Sequence, residues 1–260
     1  MPNLLAFDPI QVLGFVVIMV RISGLVVSAP ILGDFNIPVV VKAAFTFMLA
    51  LLFYPVVAKP ELGPNPQPLA LTLVLLGEFG VGLLIGFAAR LMFAGISLAG
   101  EVIGFQMGLG IANVFDPSAN AQTSLIGQIQ VIFALFLFVI LDGHHILIRA
   151  VAESYALVGP GAVMLRPEGL QFYSGLVGNI FLIGIQIGAP LIVALLAANF
   201  SMGLIARSVP QINIFVVGFP FTIWLGLMFL ALSFPFFVEA LMQLHERLAE
   251  VLMMGVRTMG

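Results

Sequence analysis

Long stretches without charge dominate the chain. Three of them exceed the roughly 20 apolar residues that a helix needs to cross about 30 Å of hydrocarbon. These are residues 117–141, 169–206 and 208–238. Three further apolar blocks are short or interrupted by charge: Ile10–Leu32, Ala43–Ala58 and Leu69–Ile103. The pattern predicts about six long helices.

Apolar and polar residues do not alternate within these blocks. Residues 131–141 read VIFALFLFVIL, whereas a membrane-spanning strand alternates between lipid-facing and interior positions. A helix satisfies its own backbone groups in lipid. We therefore predict an all-α fold, a polytopic membrane protein.

Composition supports this reading. Of the 260 residues, 62% are hydrophobic and 8% are charged, against about 25% charged in a soluble domain. The formal net charge of −3 offers no attraction to nucleic acid. Soluble enzymes, disordered tails and nucleic-acid-binding proteins are excluded, and membrane lipid is an expected partner. The absence of cysteine excludes a disulfide framework.

Turn-forming residues separate the blocks. Residues 59–68 contain four prolines and are predicted to form an exposed linker, because proline interrupts helices. Asp142–His145 is expected to end or kink the fourth block. No basic residue precedes Arg21, so the first block is expected to be a retained membrane helix rather than a signal peptide. Lys and Arg occur at nearly every connection, and the positive-inside rule gives no orientation.

The segment Gly104–Asn120 is apolar and yet irregular. It begins with three glycines in seven residues, which weaken helical order, and Pro117 disfavours the α conformation of the residue before it. Irregular backbone at membrane depth survives only where it is buried in protein or lines a cavity. The segment is either a re-entrant gate, packed by Phe105, Met107 and Phe115, or a surface loop folded onto helix ends.

Charged residues inside apolar blocks form a second candidate site. They are Arg21, Glu78, Arg90 and Glu101. Charge is costly in lipid, so each is expected to face protein or water and to pair with another group. Pairing between helices or subunits is one interpretation. A proton relay is the alternative, and it would make the chain a proton-coupled membrane transporter.

Catalytic and metal-binding residues are not predicted. His144 and His145 are adjacent and point to different helix faces, which fits a helix end better than a metal site. Ser154, Ser174 and Ser208 have no neighbouring His and Asp that would suggest a hydrolase, and no segment matches Gly-x4-Gly-Lys-Ser/Thr. We therefore expect no enzyme activity, no metal and no cofactor.

Glycine spacing and an amphipathic pattern predict helix contacts. The pairs Gly82/Gly86 and Gly184/Gly188 have the spacing that lets helices approach closely. Near the C-terminus, an apolar stripe predicts an amphipathic helix that contacts a partner, lies on lipid headgroups or covers its own core. The stripe consists of Leu241, Leu244, Leu248 and Val251.

Five motifs follow one another along the chain: Arg21–Leu25, Gly104–Gly110, Phe115–Pro117, Leu141–His145 and Ala206–Phe215. In this order they resemble the FliR family of flagellar type III secretion export-gate proteins, over essentially the whole chain. The motif details favour the flagellar branch, and an injectisome relative stays an alternative.

The resemblance implies a structural subunit of a channel. Members of the family join FliP and FliQ in a helical gate in the flagellar basal body, where unfolded export substrates cross the bacterial inner membrane. FlhB and FlhA are further implied partners. Residues 1–160 are expected to be a FliP-like part, and residues 165–260 a FliQ-like helical hairpin that includes the amphipathic C-terminal helix.

The resemblance also places a plug loop at residues 104–124, where apolar side chains would form a compliant seal. The expected plug or gate residues are Gly104, Phe105, Gln106, Met107, Gly108, Gly110, Asn113, Phe115, Asp116 and Pro117. Polar contacts between helices or subunits are expected from Arg21, Glu78, Arg90, Glu101, Arg207, Gln211 and Asn213. Of these, Gln211 and Asn213 could bond exposed backbone at the turn between the last two apolar blocks.

Overall fold

The computed structural model describes residues 9–57, 67–110, 124–163, 167–209, 211 and 214–259. Regular secondary structure in this part of the chain is entirely helical, which confirms the all-α prediction. The helices are α1 (Pro9–Ser28), α2 (Val39–Phe53), α3 (Pro68–Gln106), α4 (Leu125–Ile140), α5 (Gly143–Leu157), α6 (Pro167–Ser208), α7 (Ile214–Leu232) and α8 (Phe234–Arg257).

Helix length and composition support several membrane crossings. Helices α1, α3 and α6 are each long and apolar enough to span a bilayer. The described residues provide up to five spans if the bent pairs α4–α5 and α7–α8 each count as one. Five of the six predicted apolar blocks match one helix each, and the block 208–238 contains α7 and the start of α8. Helix α2 has only 15 residues and is shorter than a typical span.

The fourth apolar block ends at a break between α4 and α5. Asp142 has φ +59°, a left-handed conformation that is uncommon outside glycine. Its carbonyl accepts a hydrogen bond of 2.9 Å from His145 N, which opens α5. The predicted interruption at Asp142–His145 is confirmed.

A second break, at Ser233 between α7 and α8, was not predicted. Pro235 lies in the first turn of α8. Proline has no N–H to donate and its ring crowds the carbonyl four residues earlier, so it favours the first turn of a helix, although α6 and α7 continue through Pro190 and Pro220. A new helix therefore begins at Phe234, and the apolar block 208–238 is divided.

The irregular segment begins later than expected. Residues 104–106 were predicted to avoid helix, but α3 continues to Gln106. One glycine costs a helix only about 1 kcal/mol, and at Gly104 the absence of a side chain lets Ser124 approach the α3 backbone closely. The predicted linker at 59–68 lies largely outside the described residues.

The chain forms two compact units. The first comprises residues 1–91, 139–177 and 246–260, and the second comprises residues 92–138 and 178–245. The division of the chain into a part at 1–160 and a hairpin at 165–260 stays a prediction.

Glycines mark close helix contacts within each unit. In the first unit, a side chain at Gly82 would overlap the carbonyl oxygen of Arg21, so α1 and α3 meet backbone to backbone. In the second, a Cβ at Gly184 would lie 3.1 Å from the Gly95 carbonyl of α3. Both predicted glycine pairs therefore include a contact point between helices.

Helix α8 is amphipathic, as predicted. Leu241 and Leu248 are buried, whereas Glu246, Arg247 and Glu250 are exposed. The apolar stripe covers the chain's own core, which is one of the three roles considered for it.

Candidate gate segment and buried ion pair

Helix α3 ends in a tight turn at the start of the candidate gate. Gly108 N donates to the Phe105 carbonyl at 3.0 Å, and Leu109 N donates to the Gly104 carbonyl at 3.0 Å. This pair of bonds is the Schellman motif, in which the residue after the helix adopts a left-handed conformation. Gly108 is that residue, with φ +85°.

A side chain is excluded at Gly108 by packing as well. A Cβ there would overlap the ring of Phe219 in α7. The same position therefore needs glycine for its backbone conformation and for its contact with α7.

Met107 anchors the turn in the second unit. Its side chain is 0% exposed and belongs to a core cluster with Ile103, Ile126, Leu191 and Leu195. Its carbonyl accepts a hydrogen bond of 3.0 Å from the Thr222 hydroxyl. Met107 thus holds the segment in place in this conformation, rather than lining an open surface.

Phe105 has the opposite environment. It is 75% exposed, although Met107 is only two positions away. Beside it lies a mostly apolar cavity of about 540 Å³, lined by residues that include Phe105, Gln106, Gly108, Asn199, Phe219 and Thr222. Asn199 donates its side-chain amide to the Gln106 carbonyl at 3.1 Å, so α6 also bonds the end of α3.

The remaining gate predictions are only partly covered by the structure. Gly110 lies in the turn that follows α3. Asn113, Phe115, Asp116 and Pro117 lie outside the described residues.

A buried ion pair forms the second candidate site. Arg21 in α1 and Glu78 in α3 are both 0% exposed. Arg21 Nε donates to Glu78 Oε2 at 2.7 Å, and Nη2 donates to Glu78 Oε1 at 3.0 Å. Two parallel bonds between a guanidinium and a carboxylate are the strongest geometry for such a pair.

The remaining polar atoms of the pair are bonded to a neighbouring helix and turn. Arg21 Nη1 donates to the Ser154 hydroxyl of α5 at 3.0 Å, and Nη2 donates to the Val158 carbonyl at 3.0 Å. Gly161 N donates to Glu78 Oε1 at 2.8 Å. The guanidinium carbon lies 4.2 Å from the centre of the Tyr155 ring. Charge that would be costly in an apolar core is thereby compensated on all sides.

Sequence reasoning identified Arg21 and Glu78 individually but not as partners. They are 57 residues apart, and no periodicity relates positions on different helices. Ser154, Gly161, Thr222 and Asn199 were missed. In the sequence they appear only as polar residues within apolar helices or as a glycine within a turn. Both patterns are common, so neither indicates a functional position.

The other charged and polar candidates are exposed. Glu101 accepts a hydrogen bond of 3.3 Å from Ser97 on its own helix, and Arg90 has no polar partner among the described residues. Arg207 and Gln211 lie exposed at the end of α6 and just after it, and Asn213 lies outside the described residues. Among the described members of the predicted polar set, only Arg21 and Glu78 are joined to each other.

The histidines lie beside the α4–α5 break. His145 Nδ1 is 3.1 Å from Asp142 Oδ1, and ligand atoms of Asp142, His144 and His145 lie within 4.8 Å of one another. Asp142 is exposed and already paired with His145. This arrangement fits local bonding at a helix end.

Comparisons with known proteins give one consistent result. The family model described as "Bacterial export proteins, family 1" matches residues 12–248. The chain is similar to the flagellar biosynthetic protein FliR of Bacillus subtilis, with 34% identity over 80% of this chain and 81% of that protein. It is also similar to FliR of Escherichia coli, with 32% identity over 84% and 82%. FliR of Pectobacterium carotovorum has 33% identity over 90% of both chains.

Proposed function

The chain belongs to family 1 of the bacterial export proteins, together with the flagellar biosynthetic proteins FliR, and we propose that it is a structural and gating subunit of the flagellar type III protein export gate. In this role it forms, with FliP and FliQ, the inner-membrane channel for unfolded export substrates. Its long apolar helices are those of a membrane-integral component of the flagellar export apparatus.

The proposed partners follow from this role. FliP and FliQ are the subunits of the gate, and FlhB and FlhA are further neighbours in the basal body of the inner membrane. Many large apolar side chains remain exposed on the single chain, for example Phe181 on α6 and Trp224 on α7. Such surface requires lipid or other subunits. We propose that the chain acts without catalysis, metal or cofactor. We also propose that residues 1–160 form a FliP-like part and that residues 165–260 form a FliQ-like hairpin.

One observation carries the gating proposal: α3 stops in a glycine-dependent turn that places Phe105 outside and Met107 inside. Met107 would hold the base of the proposed plug in place, and the exposed ring of Phe105 offers apolar surface for a dewetted seal. Gly108 and Gly110 allow the backbone that follows to change direction at little steric cost. The plug is proposed to run from Gly104 to residue 124.

Deleting residues 106–120 tests the proposal. We expect the complex with FliP and FliQ to assemble and the membrane to leak ions, measured as loss of membrane potential in cells. Phe105→Ala is the milder variant and should leak less than the deletion. Normal ion retention by an assembled deletion complex would refute the gate role.

The proton-coupled transporter has less support. Arg21 and Glu78 would be needed as titrating groups, yet each is bonded to the other with no exposed surface. A proton relay requires groups that can exchange protons with water or with one another.

A further inference from the structure

We infer that Arg21 and Glu78 are positioning residues for the turn Val158–Gly161, which fixes how the chain leaves α5. The inference concerns contacts inside this chain and does not depend on the gating role. It assigns a structural role to a buried ion pair that takes no part in the proposed plug.

The pair offers the turn one donor and one acceptor. Arg21 Nη2 donates to the Val158 carbonyl, where α5 ends, and Glu78 Oε1 accepts from Gly161 N three positions later. Arg21 Nη2 and Glu78 Oε1 are also bonded to each other at 3.0 Å. The two ends of the turn are therefore held by atoms that are themselves fixed.

The turn needs such support because its own structure provides little. Its internal backbone bond joins Ala162 N to the Gly159 carbonyl at 3.0 Å, and Gly161 has φ +86°. Glycine is more flexible in the unfolded chain than any other residue, so ordering it is costly. Bonds to a charged group are stronger than bonds between neutral groups and offset this cost.

An ion pair also holds a turn more specifically than apolar packing would. Apolar contacts have no direction, whereas a guanidinium fork and a carboxylate fix angles as well as distances. Replacing a buried pair by apolar residues can preserve or raise stability. If the pair positions the turn, its replacement by apolar residues should displace the turn while the fold is retained. If the pair only stabilises the protein, the same replacement should leave the turn in place.

A disulfide reporter measures the position of the turn directly, because the natural chain has no cysteine. In this conformation, a Cβ on Gly77 would lie 3.1 Å from Cβ of Val163, just beyond the turn. The pair Gly77→Cys and Val163→Cys should therefore form a disulfide on mild oxidation in membranes that contain the full complex. Gly188→Cys with Ala99→Cys, whose Cβ atoms would be 3.6 Å apart in the second unit, has the separation that a disulfide needs and is the matched control.

The reporter is then combined with Arg21→Met/Glu78→Leu, which removes both charges and keeps apolar volume. We expect the Gly77–Val163 disulfide to form at least about fivefold less, the factor for one hydrogen bond's net contribution, because both bonds to the turn are lost, while the control disulfide is unchanged. Arg21→Lys keeps a cation for Glu78 but loses the fork that reaches Val158, so its yield should be intermediate. Ser154→Ala leaves both bonds to the turn and should not change the yield.

An unchanged Gly77–Val163 yield in either Arg21→Lys or the double variant would overturn the inference. If the double variant does not accumulate, Arg21→Lys decides the question. A parallel loss of the control disulfide would also count against positioning, because it would indicate a general loosening of the protein.

Discussion

The hydroxyl of Thr222 donates a hydrogen bond of 3.0 Å to the carbonyl oxygen of Met107, and Thr222 is 4% exposed. The bond joins α7 to the residue at which α3 leaves its helical path. The candidate gate is therefore attached at its base to the second half of the chain through a backbone atom.

Thr222→Val tests this attachment. Valine keeps the shape of threonine but cannot donate, so the Met107 carbonyl loses a buried partner, at a cost of about 1–3 kcal/mol. We expect a lower melting temperature of the purified complex and a measurable ion leak in cells. Thr222→Ser keeps the hydroxyl and should behave like the parent; a leak of equal size in the serine variant would contradict the role of the bond.

Gly108→Ala tests the end of α3. Alanine in a left-handed conformation costs about 1–2 kcal/mol, and its Cβ would also overlap the Phe219 ring. Gly110→Ala is the control, because its Cβ would meet only the Phe105 ring, at 3.5 Å. We expect a reduced melting temperature of the purified complex for the first variant alone. Equal effects of the two substitutions would refute the special role of Gly108.

Gly82→Ala tests the contact between α1 and α3. A Cβ there would overlap the Arg21 carbonyl oxygen and lie 2.9 Å from Leu25 N, and backbone atoms cannot move aside as a flexible side chain can. We expect strongly reduced accumulation in membranes. Gly80→Ala, with nothing within 4 Å of the new Cβ, should be neutral or stabilising by up to about 1 kcal/mol. Normal accumulation of Gly82→Ala would show that α1 and α3 can separate without cost.

Arg21→Met tests the energetic balance of the ion pair. Removing one partner leaves an uncompensated buried carboxylate, which costs about 3–5 kcal/mol. Protein abundance in membranes should fall sharply, and Glu78→Leu should have a similar effect. The combined variant Arg21→Met/Glu78→Leu should recover most of the abundance. An additive loss in the combined variant would contradict the pairing of these two residues.

The sequence predicted features that depend on neighbouring positions. Apolar run length predicted the helices, and Asp142-Gly143 predicted the break before α5. The glycines at 82 and 184 indicated close helix contacts. The first irregular residue was misjudged, because the glycine at 104 was treated as a helix breaker when contact with Ser124 outweighs its low propensity.

Relationships between distant positions could not be predicted in the same way. The four charged residues were all candidates for pairing, and only the folded chain selects Arg21 with Glu78. Met107 and Phe105 look equivalent in the sequence, since both are apolar residues of one segment. Their opposite burial depends on α7, which lies more than 100 residues later.

The separation of Arg21 from Glu78 has a consequence for biosynthesis. A ribosome releases the first helix while its counter-charge, 57 residues later, is still to be translated. An unneutralised guanidinium within a membrane helix is costly, and pairing with Glu78 removes that cost. We therefore expect α1 to be held more stably in the membrane once α3 has been inserted beside it than before.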